Sequence, residues 1–548
     1  DDLVNSIRLR GGIVTDDNNP SLSHGAYKNK VNFLRRDFHR AMVDPLRDYM
    51  KEHRVDGDDL MWYLYAEHAP HRNRVRQQEA LKRGLPNASG IWSTKEDAKK
   101  AFEEMGGVQI SAEGELERLE TKLGVKYVDG VRQASKEWGH LVRAGEYVRA
   151  INKENLRRQL ETGMLTEEIM MKSEMYMDED IMRTYVPLRG ENIVMADEFF
   201  EVPIGPGKIG VSGPESKAAK GRVTVAENVW AWSIMQMDYE IDRIEKNTVV
   251  KTFARLIQDN EGDLKDFAHV APLEEYKKHE YMYGPQKGKL ILGMYPQQQT
   301  DPNHNIHFKN NGEEYVVIVK DKRIGQAFNR TNMTDSGTFL QLASQVNRYF
   351  SAIHTSINPE FVITNFVKDF QTAMGHLQGL KETVSEFEDT EALGRKVFKN
   401  IKNAAIGMKM FVRDKRSDTE WSANARELSE QGGRIDFFAF KDVRDFEKTL
   451  NNYIKYTTAA GMRRWKDKML DFVGEYNAVV ENTMRLATYV TARDEFISNG
   501  MTVENAKKRA ADIARNLTVN FSQKGEKAAA LNSLYLFFNA SVQGTVRL

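Results

Sequence analysis

The stretch SGTFLQLASQVNRYFSAIHTSINPEFVITNFVKDFQTAMGHL, Ser336 to Leu377, decides the fold class. Phe339, Leu342/Ala343, Val346, Tyr349/Phe350 and Ile353 recur at helical spacing, and Ile363, Phe366/Val367, Phe370, Ala373/Met374 and Leu377 repeat the pattern. Between the two series stands Asn358-Pro359. An Asn cap with Pro at the first helical position starts a helix, because Pro lacks only an N–H that the first turn leaves unpaired. Two amphipathic helices meeting at this structural corner predict a helical domain. The second helix carries Asn365, Asp369, Thr372 and His376 on one stripe. One reading is catalytic, with Asp369 and His376 close together; the other is a buried hydrogen-bonded stripe that locks helix packing. We expect the second.

Working outward, the chain has 548 residues, 41% of them apolar and 29% charged. That is enough apolar material for several cores. The formal net charge is zero, so attraction to nucleic acid or anionic membrane has to come from a local patch. The absence of cysteine excludes disulfides, thiolate metal sites and cysteine nucleophiles. No apolar run approaches the roughly 20 residues of a membrane span. The start DDLVNSIRLRGG carries no signal pattern and no Met, and the chain stops at Val546-Arg547-Leu548. We expect a section of a longer polypeptide or a processed N-terminus.

The expected class is mainly α: an extended multi-helix assembly with a small antiparallel β insertion in the middle. Residues 1–190 read as an N-terminal helical region. Within it DLMWYLYAE, Asp59 to Glu67, is a dense apolar turn expected to stop at Pro70. His68 and His71 flank that Pro without the HExxH or HxxEH order of a zinc helix, so a helix end is expected there. Residues 90–107 predict a helix capped by Ser93, and helices are expected to continue from Leu116 to Lys153. The Met-rich stretch 157–182 reads as adaptable core.

Residues 191–330 read as a mixed α/β region. PIGPGKIG, Pro203 to Gly210, contains a formal GxGxxG, but Gly213-Pro214 blocks the helix that motif requires. A loop carrying Lys208, Lys217, Lys220 and Arg222 is expected instead. A long helix is predicted over 226–257, with Trp230, Ile234, Met237, Ile241, Ile244 and Val249 inward and Asp238, Arg243, Glu245 and Lys246 in surface ion pairs. Leu290 to Tyr295 reads as one strand. Ile306 to Phe308 and Tyr315 to Lys320 read as two more, turning at Asn310-Asn311-Gly312.

Residues 331–548 read as a C-terminal helical domain. RKVFKNIKNAAIGMKMFVRDKR, Arg395 to Arg416, places Phe398, Ile401, Ala405, Met408 and Val412 on one face. Arg395, Lys399, Lys402, Lys409 and Arg413 form the neighbouring stripe. Such a helix fits a membrane surface, an acidic partner or phosphates, or a core helix with a solvated basic edge. Residues 446–499 predict a helix ending at Gly500, with Thr502 capping the next.

YLYAEHAPHRN (Tyr63 to Asn73), YVPLRG (Tyr185 to Gly190), RIEKN (Arg243 to Asn247), TSINPEFVITNFVKDFQTA (Thr355 to Ala373) and ARNLTVNFSQKGE (Ala514 to Glu526) occur in this order. Together they resemble the large polyvalent protein-associated regions of bacteriophages and prophages, some named for a PLxRFG motif. The match departs after Pro187-Leu188, where Arg189 comes one place early and no RFG follows. The resemblance implies a non-enzymatic virion-associated or ejection protein segment, delivered with the genome as helical scaffold or DNA-conduit component. It locates the chain in the phage virion and then in the host envelope or cytoplasm. Its implied partners are other virion and ejection proteins and further copies of the chain, with no cofactor. DNA, through the stripe Arg395 to Arg413, and peripheral membrane contact are further expected partners. The alternative it implies is an antirestriction, DNA-protecting module.

Overall fold

The computed structural model describes residues 2–83, 94–105, 111–168, 184–186, 229–275, 304–329, 390–413, 419–434 and 463–517. Among them the protein is mainly α with two small antiparallel sheets. The helices begin with α1 (Asp2–Leu9) and α2 (Pro20–Phe38), which runs through a π-helical turn (His39–Val43) into α3 (Asp44–His53). Then come α4 (Gly57–Arg83), α5 (Lys95–Met105), α6 (Ala112–Lys122), the hairpin β1 (Lys126–Val128) and β2 (Val131–Gln133), and α7 (Lys136–Glu161). The middle holds α8 (Val229–Asp259), α9 (Glu261–Leu264), β3 (Ala268–Pro272), β4 (Asn305–Asn310), β5 (Glu313–Val319) and α10 (Lys322–Asn329). Finally come α11 (Thr390–Arg413), α12 (Glu420–Glu430), α13 (Arg463–Ser498) and α14 (Val503–Asn516).

Short polar side chains set the helix starts. Asn19 accepts from the Ser21 N–H at 3.0 Å and Pro20 takes the first helical position of α2. Ser111 and Ser135 accept from Gly114 and Trp138 to open α6 and α7. Thr502 accepts from Asn505 to open α14, as expected. At α5 the cap is Thr94, whose Oγ1 accepts from the Asp97 N–H at 3.1 Å. Ser93, expected in that role, lies outside the described residues.

Two compact units divide the chain. Unit 1 comprises residues 1–34, 248–269 and 330–548. Its core is built on α13, in which every residue from Asn482 to Ala492 is buried, so neighbours cover all its sides. The alanines of α14 (Ala506, Ala510, Ala511 and Ala514) face this core and allow close helix approach. Val397, Ala404, Met408 and Phe411 of α11 complete it with Leu428 of α12 and Phe33 of α2, whose ring lies 6.3 Å from that of Phe411. One polar cluster inside is tied off around a carboxylate. Glu427 of α12 accepts from Tyr489 at 2.7 Å and from Arg493 at 2.6 Å, and Lys507 stands 2.6 Å from its other oxygen. Burial works to raise the Glu427 carboxyl, but hydrogen bonds from Lys507, Tyr489 and Arg493 outweigh it and hold it below the usual glutamate range. Burial, then the bond to Glu427, pushes the Tyr489 phenol well up.

The N-terminal segment is stitched onto the same unit by side-chain amides. Asn260 exchanges bonds with the backbone of Ile13, accepting at 2.7 Å and donating at 2.8 Å, as a paired strand residue would. Asp16 pairs with Arg509 and Asp17 with Lys508, both at 2.9 Å.

Unit 2 comprises residues 35–247 and 270–329. Leu60, Tyr63, Leu64, Tyr65, Ala66 and Ala69 of α4 are buried, as are Trp138, Leu141, Ala144, Val148 and Ile151 of α7. Here α4 does not stop at Pro70 but runs through it to Arg83. Pro70 removes the N–H that would reach the Ala66 carbonyl and crowds that carbonyl with its ring, and the buried turns before it hold the helix. Met164 packs on Ile244 of α8, in keeping with its expected core role. The antiparallel pair β4–β5 turns at Asn311-Gly312, both in the left-handed region, as read from the sequence. The strand β3 joins it in the order β3-β5-β4 and is not among the strands expected in this region. Asn247 closes the free side of β4, donating to the Lys309 carbonyl at 2.8 Å and accepting from its N–H at 2.7 Å.

Helix does not run unbroken from Leu116 to Lys153, because β1 and β2 intervene. Asp129-Gly130, both at positive φ, make the tight turn that favours a hairpin. Its strands are exposed and are held by side chains instead: Tyr127 and Arg132 both donate to Glu120, and Arg132 lies 4.6 Å over the Trp138 ring. The charged residues of α8 also depart from expectation. Asp238, Arg243 and Glu245 are buried and Lys246 is half-buried, and Glu240 beside them is buried as well. The helix is covered on more sides than its apolar stripe required.

Two helical glycines test this packing with opposite signs. At Gly407 an added Cβ would stand 2.6 Å from the Cβ of Trp421 and 2.7 Å from its backbone, whereas at Gly139 nothing lies within 4 Å. Gly139→Ala should raise stability by about 0.5–1 kcal/mol through helix propensity. Gly407→Ala should lower it despite the same propensity gain, by about 1–3 kcal/mol from overpacking. Urea unfolding midpoints of the two variants check both signs.

The Glu427 cluster predicts an acid-side loss. A carboxyl held low in the folded state contributes stability above its unfolded pKa, and this is lost as pH falls through the folded value. Glu427→Gln should therefore be about 1 kcal/mol less stable at neutral pH and should show a shallower decline below about pH 4.3. Denaturant titrations from neutral to acidic pH measure that difference.

Candidate contact surface on a cationic helix

The segment Ala392 to Arg413 contains Arg395, Lys396, Lys399, Lys402, Lys409 and Arg413 and not one Asp or Glu. Within α11 these charges are sorted by the core. Val397, Ala404, Met408 and Phe411 fall on one side of the helix and are buried. The flank is fixed by polar ties to α13: Lys396 donates to Glu495 at 2.6 Å, and the Asn400 amide donates to the Thr491 hydroxyl at 3.1 Å. With that side committed, Arg395, Lys399, Lys402 and Lys409 are exposed on the other. The side chain of Arg413, the last member of the expected stripe, lies outside the described residues.

The apolar face differs from the one read in the sequence. Met408 and Val412 are buried and Ile401 packs against the core, but Phe398 is 62% exposed. The buried seam runs instead through Val397, Ala404, Gly407 and Phe411, a rotation that puts Phe398 on the cationic side. Ile406 joins it there at 50% exposure. Residue type alone assigns both to the core, which is why a sequence reading misses them. The useful signal is the close approach of Trp421 to Gly407, which fixes the helix rotation.

The corner residues Asn358, Pro359, Asn365 and Asp369, with His376, lie outside the described residues, as do Lys208, Lys217, Lys220, Arg222 and the strand expected at 290–295. At the EHAPH segment the side chains turn to different partners. Glu67 pairs with Arg149 and accepts from Tyr63, while the buried His68 meets Thr184 and packs edge-on to Tyr185 at 5.7 Å. Among the described residues, His39 Nε2 lies 2.7 Å from the buried Asp238 carboxylate, the shortest histidine–carboxylate approach. A carboxylate partner fixes an imidazole's tautomer. Arg35 also donates to the Asp238 carbonyl at 3.1 Å, so both residues tie one helix segment to α8, and packing accounts for the pair.

Among the described residues no helix is long and apolar enough to cross a membrane, and no group of His, Asp or Glu is arranged to hold a metal ion. The outward side of α11 offers a row of exposed cations, Arg395, Lys399, Lys402 and Lys409. No family model, curated protein or solved structure matches this chain.

Proposed function

We propose that this chain is a non-enzymatic segment of a phage virion protein, delivered with the genome into the host and acting there as helical scaffold. The observation that carries the proposal is the division of α11: one side built into a core of packed helices, the other presenting Arg395, Lys399, Lys402 and Lys409 without an intervening carboxylate. A helix so divided holds its own unit together and offers a contact surface at once. The order of the phage-like segments from Tyr63 to Glu526 supports placing it in a particle. The partners proposed are other virion and ejection proteins and further copies of the chain. Peptide mapping of purified particles, with cryo-EM before and after genome release, should find the chain inside full particles and depleted from empty ones. Recovery only from infected cytoplasm rejects the assignment.

A second reading takes the same cations as the face of a DNA-protecting module. Neutralising a phosphate releases counterions, so affinity for duplex DNA falls with salt with a slope of about 0.9 per phosphate neutralised. Replacing Lys399, Lys402 and Lys409 by Gln should then flatten that slope by about 0.9 for each lysine that had met a phosphate. Binding that is flat across salt removes this reading.

A further inference from the structure

We infer that the outward side of α11 docks on an anionic phospholipid bilayer, with Phe398 and Ile406 entering the interface between its lysines. The inference rests on the reading of this helix as the chain's contact surface and names what it contacts. At 100° per residue, Arg395, Phe398, Lys399, Lys402, Ile406 and Lys409 share one arc of about 100°, and at 1.5 Å per residue they span about 21 Å. They therefore make a straight ridge that a flat surface can meet along its whole length.

Two features of the ridge choose the bilayer. Its charge is of one sign, with no acidic residue between Ala392 and Arg413, so it complements an anionic surface. Two apolar side chains are set among its cations: Phe398 is 62% and Ile406 50% exposed. Cations alone satisfy a phosphate backbone, and against duplex DNA both apolar side chains would be pressed onto hydrated phosphates. At a bilayer they enter the acyl boundary while the lysines stay at headgroup level. Docking needs no unfolding, because the core-facing side of α11 stays in place.

The test is co-sedimentation of the full chain with vesicles of phosphatidylcholine alone and of phosphatidylcholine mixed with phosphatidylglycerol. Binding is expected only to the mixed vesicles. Changing Lys399, Lys402 and Lys409 to Gln should weaken it about fivefold per lysine. Phe398→Ser with Ile406→Ser should weaken it about tenfold or more while leaving its salt dependence intact. Leu9→Ser removes an apolar side chain 89% exposed elsewhere on the surface and should change nothing. The inference is overturned by absence of binding to mixed vesicles, by full binding in the Phe398→Ser, Ile406→Ser variant, or by tight binding to duplex DNA that mixed vesicles fail to compete away. Failure here leaves the particle assignment standing, since that depends on where the chain is found and not on lipid.

Discussion

One carboxylate fastens three helices of unit 1. Glu427 belongs to α12, Tyr489 and Arg493 to α13, and Lys507 to α14. Every residue of α13 from Asn482 to Ala492 is buried, and this run includes Thr483, Thr488, Thr491 and Arg485, which carry polar atoms into the interior. A helix covered on all sides is ordinarily apolar all round. Part of the polar set of α13 is satisfied locally, while the Thr488 hydroxyl is buried without a hydrogen-bond partner among the described residues. Thr483 and Thr491 donate to carbonyls one turn back, and Tyr489 reaches Glu427. Removing one partner of such a set leaves the others desolvated, which costs more than the bond itself.

The rotation of α11 follows from that arrangement. Asn400 must meet Thr491, and Lys396 must meet Glu495, both on α13. Gly407 must face Trp421, since the two backbones approach too closely for any side chain. These contacts set which way the remaining residues point. Phe398 and Ile406 are exposed because the positions that could bury them are already taken. The lysines beside them are exposed because the core-facing positions go to Val397, Ala404, Met408 and Phe411. The cationic ridge is thus the remainder left by the packing of the opposite side.

Much of the helical plan is legible in the chain alone, because periodicity and capping are local. Thr502, the end of α13 before Gly500, the Asn311-Gly312 turn and the inward residues of α8 from Trp230 to Val249 all follow from spacing. The Asn-Pro chemistry expected at Asn358-Pro359 also opens α2, at Asn19-Pro20. The hairpin at Asp129-Gly130 is hard to read although its turn signal is present, because its flanking strands alternate no apolar residues toward a core. Pro70 misleads by its type: a helix break is the usual outcome, but the strength of the surrounding burial decides it. The cationic stripe is legible residue by residue. The apolar pair inside it is not, because exposure depends on a neighbour distant in sequence.

The charged residues of α8 show where a local reading has to fail. EIDRIEKN, Glu240 to Asn247, has the alternation of charge that marks a solvated helix. Yet Glu240, Arg243 and Glu245 are buried and Asn247 is spent on the edge of β4. Opposite charges one turn apart, such as Arg243 and Glu240 at 3.6 Å, travel together, and a neutral pair costs far less to cover than a lone charge. The same grammar that makes a soluble surface therefore also permits a buried one, and only a second layer of structure decides between them. Between Ala392 and Arg413 the helix α11 has no carboxylate to travel with its lysines, so covering them would leave uncompensated charge inside. That asymmetry keeps its outward side at the surface.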